Sequence, residues 1–232
     1  MGLPVHWRPN YADWLVERYR QGQGAHVVTL NAEMAMQADQ NPALRQIILA
    51  ADLVIPDGAG VVLYFRTQGH HVERTPGIEL AANVLKRLSP KETAFFYGGA
   101  PGVTDQAAIY WQRQLGGLKI TGTQHGYLDP TQQAEFLAQL EALQPSVILV
   151  GLGVPRQEMW IQAHRHLCPQ SIWIGVGGSF DIWAGIKSRA PEWMCNNHLE
   201  WLYRLYQEPW RWQRMLALPK FAWRSLTYSS HL

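Results

Sequence analysis

Residues 26–58 read HVVTLNAEMAMQADQNPALRQIILAADLVIPDG, and this stretch decides the fold. Two short β-type runs, HVVTL and DLVIP, bracket a segment whose apolar and polar positions alternate at helical spacing. Pro42 divides that segment into two helices, since proline suits a first helical turn and not a helix interior. If the two runs lie side by side as parallel strands, the polar residues at their ends gather at one edge of the sheet. These are Thr29 and Asn31 at the end of the first run, and Asp57 and Gly58 at the end of the second. Open α/β sheets bind ligands there, outside the carboxyl ends of their strands. The stretch therefore predicts the reaction centre as well as the fold.

Working outward, Tyr11, Trp14, Leu15 and Tyr19 have the spacing of an opening helix, broken at Gly22 and Gly24. Beyond DLVIP, helices are expected over 61–66, closed by Gly69, and over 78–88, closed near Pro90. TAFFYGG reads as a buried strand, followed by a helix that stops at Gly116, and LKITGTQHGY as a shorter strand and loop. A helix over 132–143, the strand SVILVGLG, a helix over 156–166 and a last strand in SIWIGVGGSF complete the alternation. That order argues for an α/β class, a Rossmann-like, mainly parallel sheet with helices on both faces. After about Pro191 no further β-run occurs. We expect a core over residues 1–190 and a C-terminal helical appendage over 191–232. In that appendage Trp201, Leu202, Leu205 and Tyr206 share one side of a helix, with Arg204, Gln207 and Glu208 on the other. Pro209 is expected to start a second helix carrying Arg211 and Arg214 together.

Composition narrows the class. At 232 residues the chain can bury a real core in one domain, and 47% hydrophobic against 16% charged residues excludes a disordered chain. A net charge of +2 is too mild to imply nucleic acid. Two cysteines, Cys168 and Cys195, make no disulfide framework, so a reduced cytosolic setting is the easier reading. The first residues lack the basic start and apolar stretch of a signal peptide, and no run of about 18 apolar residues could span a bilayer.

Asp57 is the first candidate for chemistry. A carboxylate at a strand end, followed by glycine, can take a proton from an attacking hydroxyl, as a general base must. Capping of the next helix is an equal alternative for this residue type. Thr29 and Asn31 read singly as caps, and jointly with Asp57 as the lining of a cleft. Three later strand ends are rich in glycine: Gly98 and Gly99, then Gly151 and Gly153 with Pro155 and Gln157, then Gly177 and Gly178 with Phe180. Glycine lets backbone amides approach a phosphate, and a helix N-terminus favours its charge, so three such loops point to a nucleotide diphosphate. Tight turns without a ligand are an equal reading of any one loop. The first βα unit lacks G-x-G-x-x-G, which counts against an NAD enzyme, and no Walker A loop occurs. No histidine or cysteine grouping makes a metal site. The tail sets Trp beside Arg repeatedly, which fits a lipid interface better than nucleic acid, since Glu200 and Glu208 dilute its charge. The bland alternative is a helix pair packed through its Trp side, with its arginines solvated.

With these blocks laid out, the chain resembles the WecG/TagA/CpsF family of bacterial glycosyltransferases. The carriers are TLNAEM, ADLVIPDGAGVV, ERTPGIEL, FFYGGAPGV, GTQHGY, LVGLGVPRQEMW, GVGGSFDIWAG, RAPEWM and LEWLYRLYQEPWRW, which span nearly the whole chain. The resemblance implies transfer of an N-acetylmannosamine-type sugar from a UDP-sugar donor to a polyprenyl-diphosphate-linked amino sugar acceptor, with inversion. It implies Asp57 as general base, Thr29 and Asn31 in the catalytic pocket, and Gln157 on the substrate. Gly58, Arg74 and the glycine-loop residues join the expected substrate contacts. Arg204, Arg211 and Arg214 would close over the site and meet the lipid diphosphate at the membrane surface. No cofactor, no essential metal and no nucleic acid is expected, and a homo-oligomer stays open. One departure is Pro76 in TPG, where smaller residues are common. The competing readings are another nucleotide enzyme on a Rossmann-like sheet, such as an oxidoreductase or epimerase, and a non-catalytic membrane-surface adaptor.

Overall fold

A computed structural model describes residues 2–197, 199–212 and 216–227. The chain opens with α1 (Tyr11–Arg20), β1 (Ala25–Leu30), α2 (Ala32–Gln40), α3 (Pro42–Leu49) and β2 (Leu53–Pro56). It continues with α4 (Ala59–Thr67), α5 (Gly77–Leu85), β3 (Thr93–Gly98), α6 (Val103–Gln114), β4 (Lys119–Gln124) and α7 (Pro130–Leu143). β5 (Val147–Gly151), α8 (Arg156–His164), β6 (Ile172–Gly175) and α9 (Ser179–Trp183) close the alternating part. The C-terminal segment carries α10 (Glu192–Asn196), α11 (Glu200–Gln207) and α12 (Ala217–Thr227).

Among the described residues six strands form one sheet in the order β2-β1-β6-β5-β3-β4, and every pairing is parallel. The α/β reading is correct, and its cause is visible strand by strand. All six residues of β1 are buried, as a strand covered on both faces requires. Val27 enters a core layer with α1, α5, α6 and α9, whereas Val28 enters one with α2, α3, α4 and α12. A third cluster under α7 and α8 completes the second face. Strand order reverses about β1, which lies between β2 and the last strand β6. Ligand crevices form at such a reversal.

Several boundaries shift for local reasons. The predicted break at Asn41–Pro42 is real: Asn41 ends α2, and its side chain accepts from the Leu44 amide to cap α3. The last strand stops at Gly175, because Gly177 at φ +53° turns the chain into α9. The helix expected over 156–166 ends at His164 and runs into a 3-10 turn, Arg165–Leu167. Pro209 opens a 3-10 turn, Pro209–Arg211, that leads into helical backbone at Trp212; the rest of the expected helix over 213–215, with Arg214, lies outside the described residues. α12 packs on α2 and α4 through Phe221, which is 4% exposed.

Candidate active site

The parallel register of β1 and β2 pairs Thr29 with Ile55 and Leu30 with Pro56. Both the Asp57 and Gly58 amides donate to the Leu30 carbonyl, at 3.0 and 3.2 Å. Asn31 and Asp57 therefore stand together just beyond the carboxyl edge. Both line a cavity of about 170 Å³, with Thr29, Gln157, Gly177 and Arg204 around them. A second cavity of about 140 Å³, bounded by Gly58, Arg74 and Trp201, shares Asn31, Glu33, Asp57, Glu200 and Arg204 with the first. Asp57 thus faces two chambers.

Each polar side chain has a defined partner. The Thr29 hydroxyl donates to the Gly175 carbonyl at 3.2 Å, so it bridges β1 to the end of β6. Asn31 caps α2, its Oδ1 accepting from the Met34 amide, and its side chain still borders both cavities. Capping and cleft lining are compatible in this residue. Asp57 does not cap the helix that follows it, since Gly58 holds that place and makes no side-chain bond. Its Oδ1 instead accepts from the Gly77 amide, at the first residue of α5, at 3.2 Å. Burial pushes the Asp57 carboxyl above the ordinary carboxylate range, opposed by the Arg204 and Arg74 guanidiniums. A carboxylate in a cleft, made more basic by burial and flanked by two cations, can accept a proton from a bound hydroxyl.

Arg74 is a strut. Its Nε donates to the Asp57 carbonyl at 2.7 Å and a terminal nitrogen to Glu200 Oε2 at 2.6 Å. Gln157 is 1% exposed. Its Oε1 accepts from the Gly153 and Gly177 amides, at 3.2 and 3.1 Å, and its Nε2 donates to Glu158 at 2.8 Å. One buried amide thereby ties together the loops after β5 and β6. Gly153, Gly177 and Gly178 border the first cavity.

The other predicted positions lie deeper or farther away. A Cβ on Gly98 would sit 2.4 Å from the Gly151 carbonyl oxygen, and one on Gly151 would sit 2.6 Å from the Phe180 ring. Gly98, Gly99, Gly151, Pro155 and Phe180 border neither cavity. Phe180 is 1% exposed and packs on Phe96 at a 5.2 Å centroid distance. Arg204 reaches the cavity wall, whereas the Arg211 side chain and Arg214 lie outside the described residues.

Sequence reasoning missed two buried carboxylates. Glu200, 4% exposed, binds Arg74 and Arg204 together. Glu158, 1% exposed, supports Gln157, and burial pushes its carboxyl up to about 7. Lys187 also reaches the cavity, held by Asp181 at 2.7 Å and Glu208 at 3.1 Å. Among the described residues no group of three His, Cys, Asp or Glu side chains is placed to hold a metal ion.

α11 is inverted relative to an ordinary surface helix. Glu200, Arg204, Gln207 and Glu208 border the cavity, while Leu202 and Tyr206 are 43% and 82% exposed. Trp193, Trp210, Trp212 and Trp223 are exposed as well. Among the described residues the Trp side is therefore not the packed one, while the Arg204 and Arg224 side chains are each about half exposed, at 47% and 54%. No helix among the described residues is long and apolar enough to cross a membrane.

Fold and site together define an α/β protein with a carboxylate cleft at the switch point of a parallel sheet, where open α/β folds bind their ligands. Comparison with known proteins makes this specific. Residues 1–231 match the glycosyl transferase WecG/TagA/CpsF family, and the chain belongs to it. It is 38% identical over 203 residues to an N-acetylglucosaminyldiphosphoundecaprenol N-acetyl-beta-D-mannosaminyltransferase of Bacillus spizizenii, covering 87% of this chain and 78% of the relative. A protein of the same name from Bacillus subtilis is 35% identical over 217 residues, covering 92% and 84%.

Proposed function

We propose that this protein transfers an N-acetylmannosamine-type sugar from a UDP-sugar to a polyprenyl-diphosphate-linked amino sugar, inverting the anomeric centre. The observation that carries the reading is Asp57, set between two chambers beside Arg204 in a chain of this family. Asp57 takes the proton of the acceptor hydroxyl, that oxygen attacks the anomeric carbon, and the uridine diphosphate leaves with the bonding electrons of the broken C–O bond. One carboxylate base suits such a single displacement.

The donor occupies the larger chamber, its diphosphate over Gly153, Gly177 and Gly178, where the missing side chains leave room and the cations of Arg204, Lys187 and Arg189 favour negative charge. We assign no role to a metal. The acceptor reaches Asp57 through the second chamber, between Trp201 of α11 and Leu218 of α12. Residues 191–232 act as an appendage that lies on the inner face of the cell membrane. The support for this is the outward aromatic set, since Trp and Tyr favour the bilayer interface.

The test is a panel of UDP-sugars with a short polyprenyl-diphosphate amino sugar acceptor, assayed by UDP release with and without EDTA. UDP-N-acetylmannosamine should be consumed with acceptor present and to the same extent with EDTA. Consumption of NAD or of another sugar nucleotide in its place would overturn the donor assignment.

A further inference from the structure

The proposed reaction uses Asp57 and Arg204 but leaves the most buried acid of α11 without a task. Glu200 is the first residue of that helix, and its carboxylate divides between two arginines from different parts of the chain. One oxygen accepts from Arg74 at 2.6 Å and the other from Arg204, one helical turn on, at 2.5 Å. The Glu200 side chain is 5% exposed and that of Arg74 13%, so this pair is buried, whereas Arg204 at 47% exposed reaches in from the solvent side. Arg74 spends its Nε on the backbone carbonyl of Asp57 at 2.7 Å. A continuous hydrogen-bonded path therefore runs from Arg204 through Glu200 and Arg74 to the peptide unit that carries Asp57.

We infer that Glu200 is a positioning residue for the transfer, a clamp that sets both guanidiniums over Asp57 and makes the docking of α11 a condition of an assembled site. The inference rests on the base reading of Asp57. Buried ion pairs add little net stability, because desolvation of both ions offsets their attraction, but they fix geometry. A carboxylate that only anchored the helix would need one partner. This one joins a core arginine to an arginine of α11 at the point where the two chambers meet.

The charged groups around Asp57 give the clamp a distinctive signature. Arg74 comes from the segment before α5, Arg204 and Glu200 from α11, and Glu33 from α2. Lys187, Arg189 and Glu208 border the same cavity. Both arginines favour the Asp57 carboxylate, whereas the Glu200 charge opposes it. Loss of the Glu200 charge alone lowers the Asp57 pKa; release of the two guanidiniums raises it.

The experiment is the pH profile of kcat for the full-length protein and for Glu200→Gln and Glu200→Asp, with Asp57→Asn run alongside and folding checked by thermal melts and UDP binding. Glu200→Gln should lower kcat about tenfold or more and move the acid limb upward by about one pH unit, the effect of removing a close opposite charge. Glu200→Asp, which keeps the charge but shortens the reach, should move the limb the same way, and it carries the test if Glu200→Gln does not fold. An acid limb that stays put or falls in the folded variants overturns the inference while a dead Asp57→Asn leaves the base reading standing. Near-normal turnover in Asp57→Asn overturns both.

Discussion

The carboxyl edge of the sheet has two halves with opposite character. At β1, β2 and β6 the strand ends present a hydroxyl, an amide and a carboxylate to a cavity, with Glu158 and Gln157 buried beneath. At β3 and β5 the strand ends close on each other. The Gly99 amide donates to the Gly151 carbonyl at 3.0 Å, and Tyr97 and Phe136 pack as tilted rings with centroids 4.6 Å apart. The first half holds costly buried polar groups around a cavity; the second half packs tightly and supplies stability. Glycine at a strand end therefore has two meanings. Gly177 borders the cavity, whereas Gly98 and Gly151 are small because the neighbouring chain leaves no room.

Outside Asp57, the proposed base, the largest effect is expected at Glu158. Its folded carboxyl is raised to about 7 from the ordinary 4.5, so between those pH values the unfolded chain ionises while the folded chain keeps its proton. The unfolded state then binds fewer protons, and stability falls as pH rises through this window, by about 3 kcal/mol at its upper end. Glu158→Gln removes that loss. Its melting temperature relative to the parent should climb from pH 5 to pH 8, and a constant difference would show that the polar half carries no such cost.

A smaller effect tests the packed half. Gly98→Ala must place a Cβ against the Gly151 carbonyl at a φ of +128°. It should destabilise by about 1–3 kcal/mol in urea titrations while the folded fraction keeps its affinity for UDP. Loss of UDP affinity at unchanged stability would make Gly98 a contact of the polar half's ligand. The smallest effect on stability belongs to the outer surface. Exchange of Tyr206 and Trp210, 82% and 71% exposed, for serine should leave the melt within about 0.5 kcal/mol. Binding to anionic vesicles should fall severalfold, and unchanged vesicle binding would remove the membrane assignment. Truncation after Pro191 would be a poorer test, since it strips Phe221 from the core beneath α2.

These contrasts also explain what the sequence made legible. Strand and helix alternation, the break at Pro42 and the meeting of Thr29, Asn31 and Asp57 follow from local periodicity and from the geometry of parallel strands. Burial of Glu158 and Glu200 does not follow, because an acidic residue near a helix start ordinarily faces water. What buries Glu200 is Arg74, 126 residues earlier in the chain. The pattern of α11 gave its two sides correctly, but periodicity cannot say which side meets the protein. Here the polar side does, because the cavity wall it completes is itself polar and charged.

The central claim is that the ends of β1 and β2 form the reaction centre, with Asp57 as its base. The most direct measurement is UDP release by Asp57→Asn, supplied with UDP-N-acetylmannosamine and a polyprenyl-diphosphate amino sugar, set beside UDP affinity and the thermal melt of the same variant. The account predicts a fall in turnover of about 100- to 10,000-fold with UDP affinity and melting temperature nearly unchanged. Turnover within about twofold of the parent protein would contradict it.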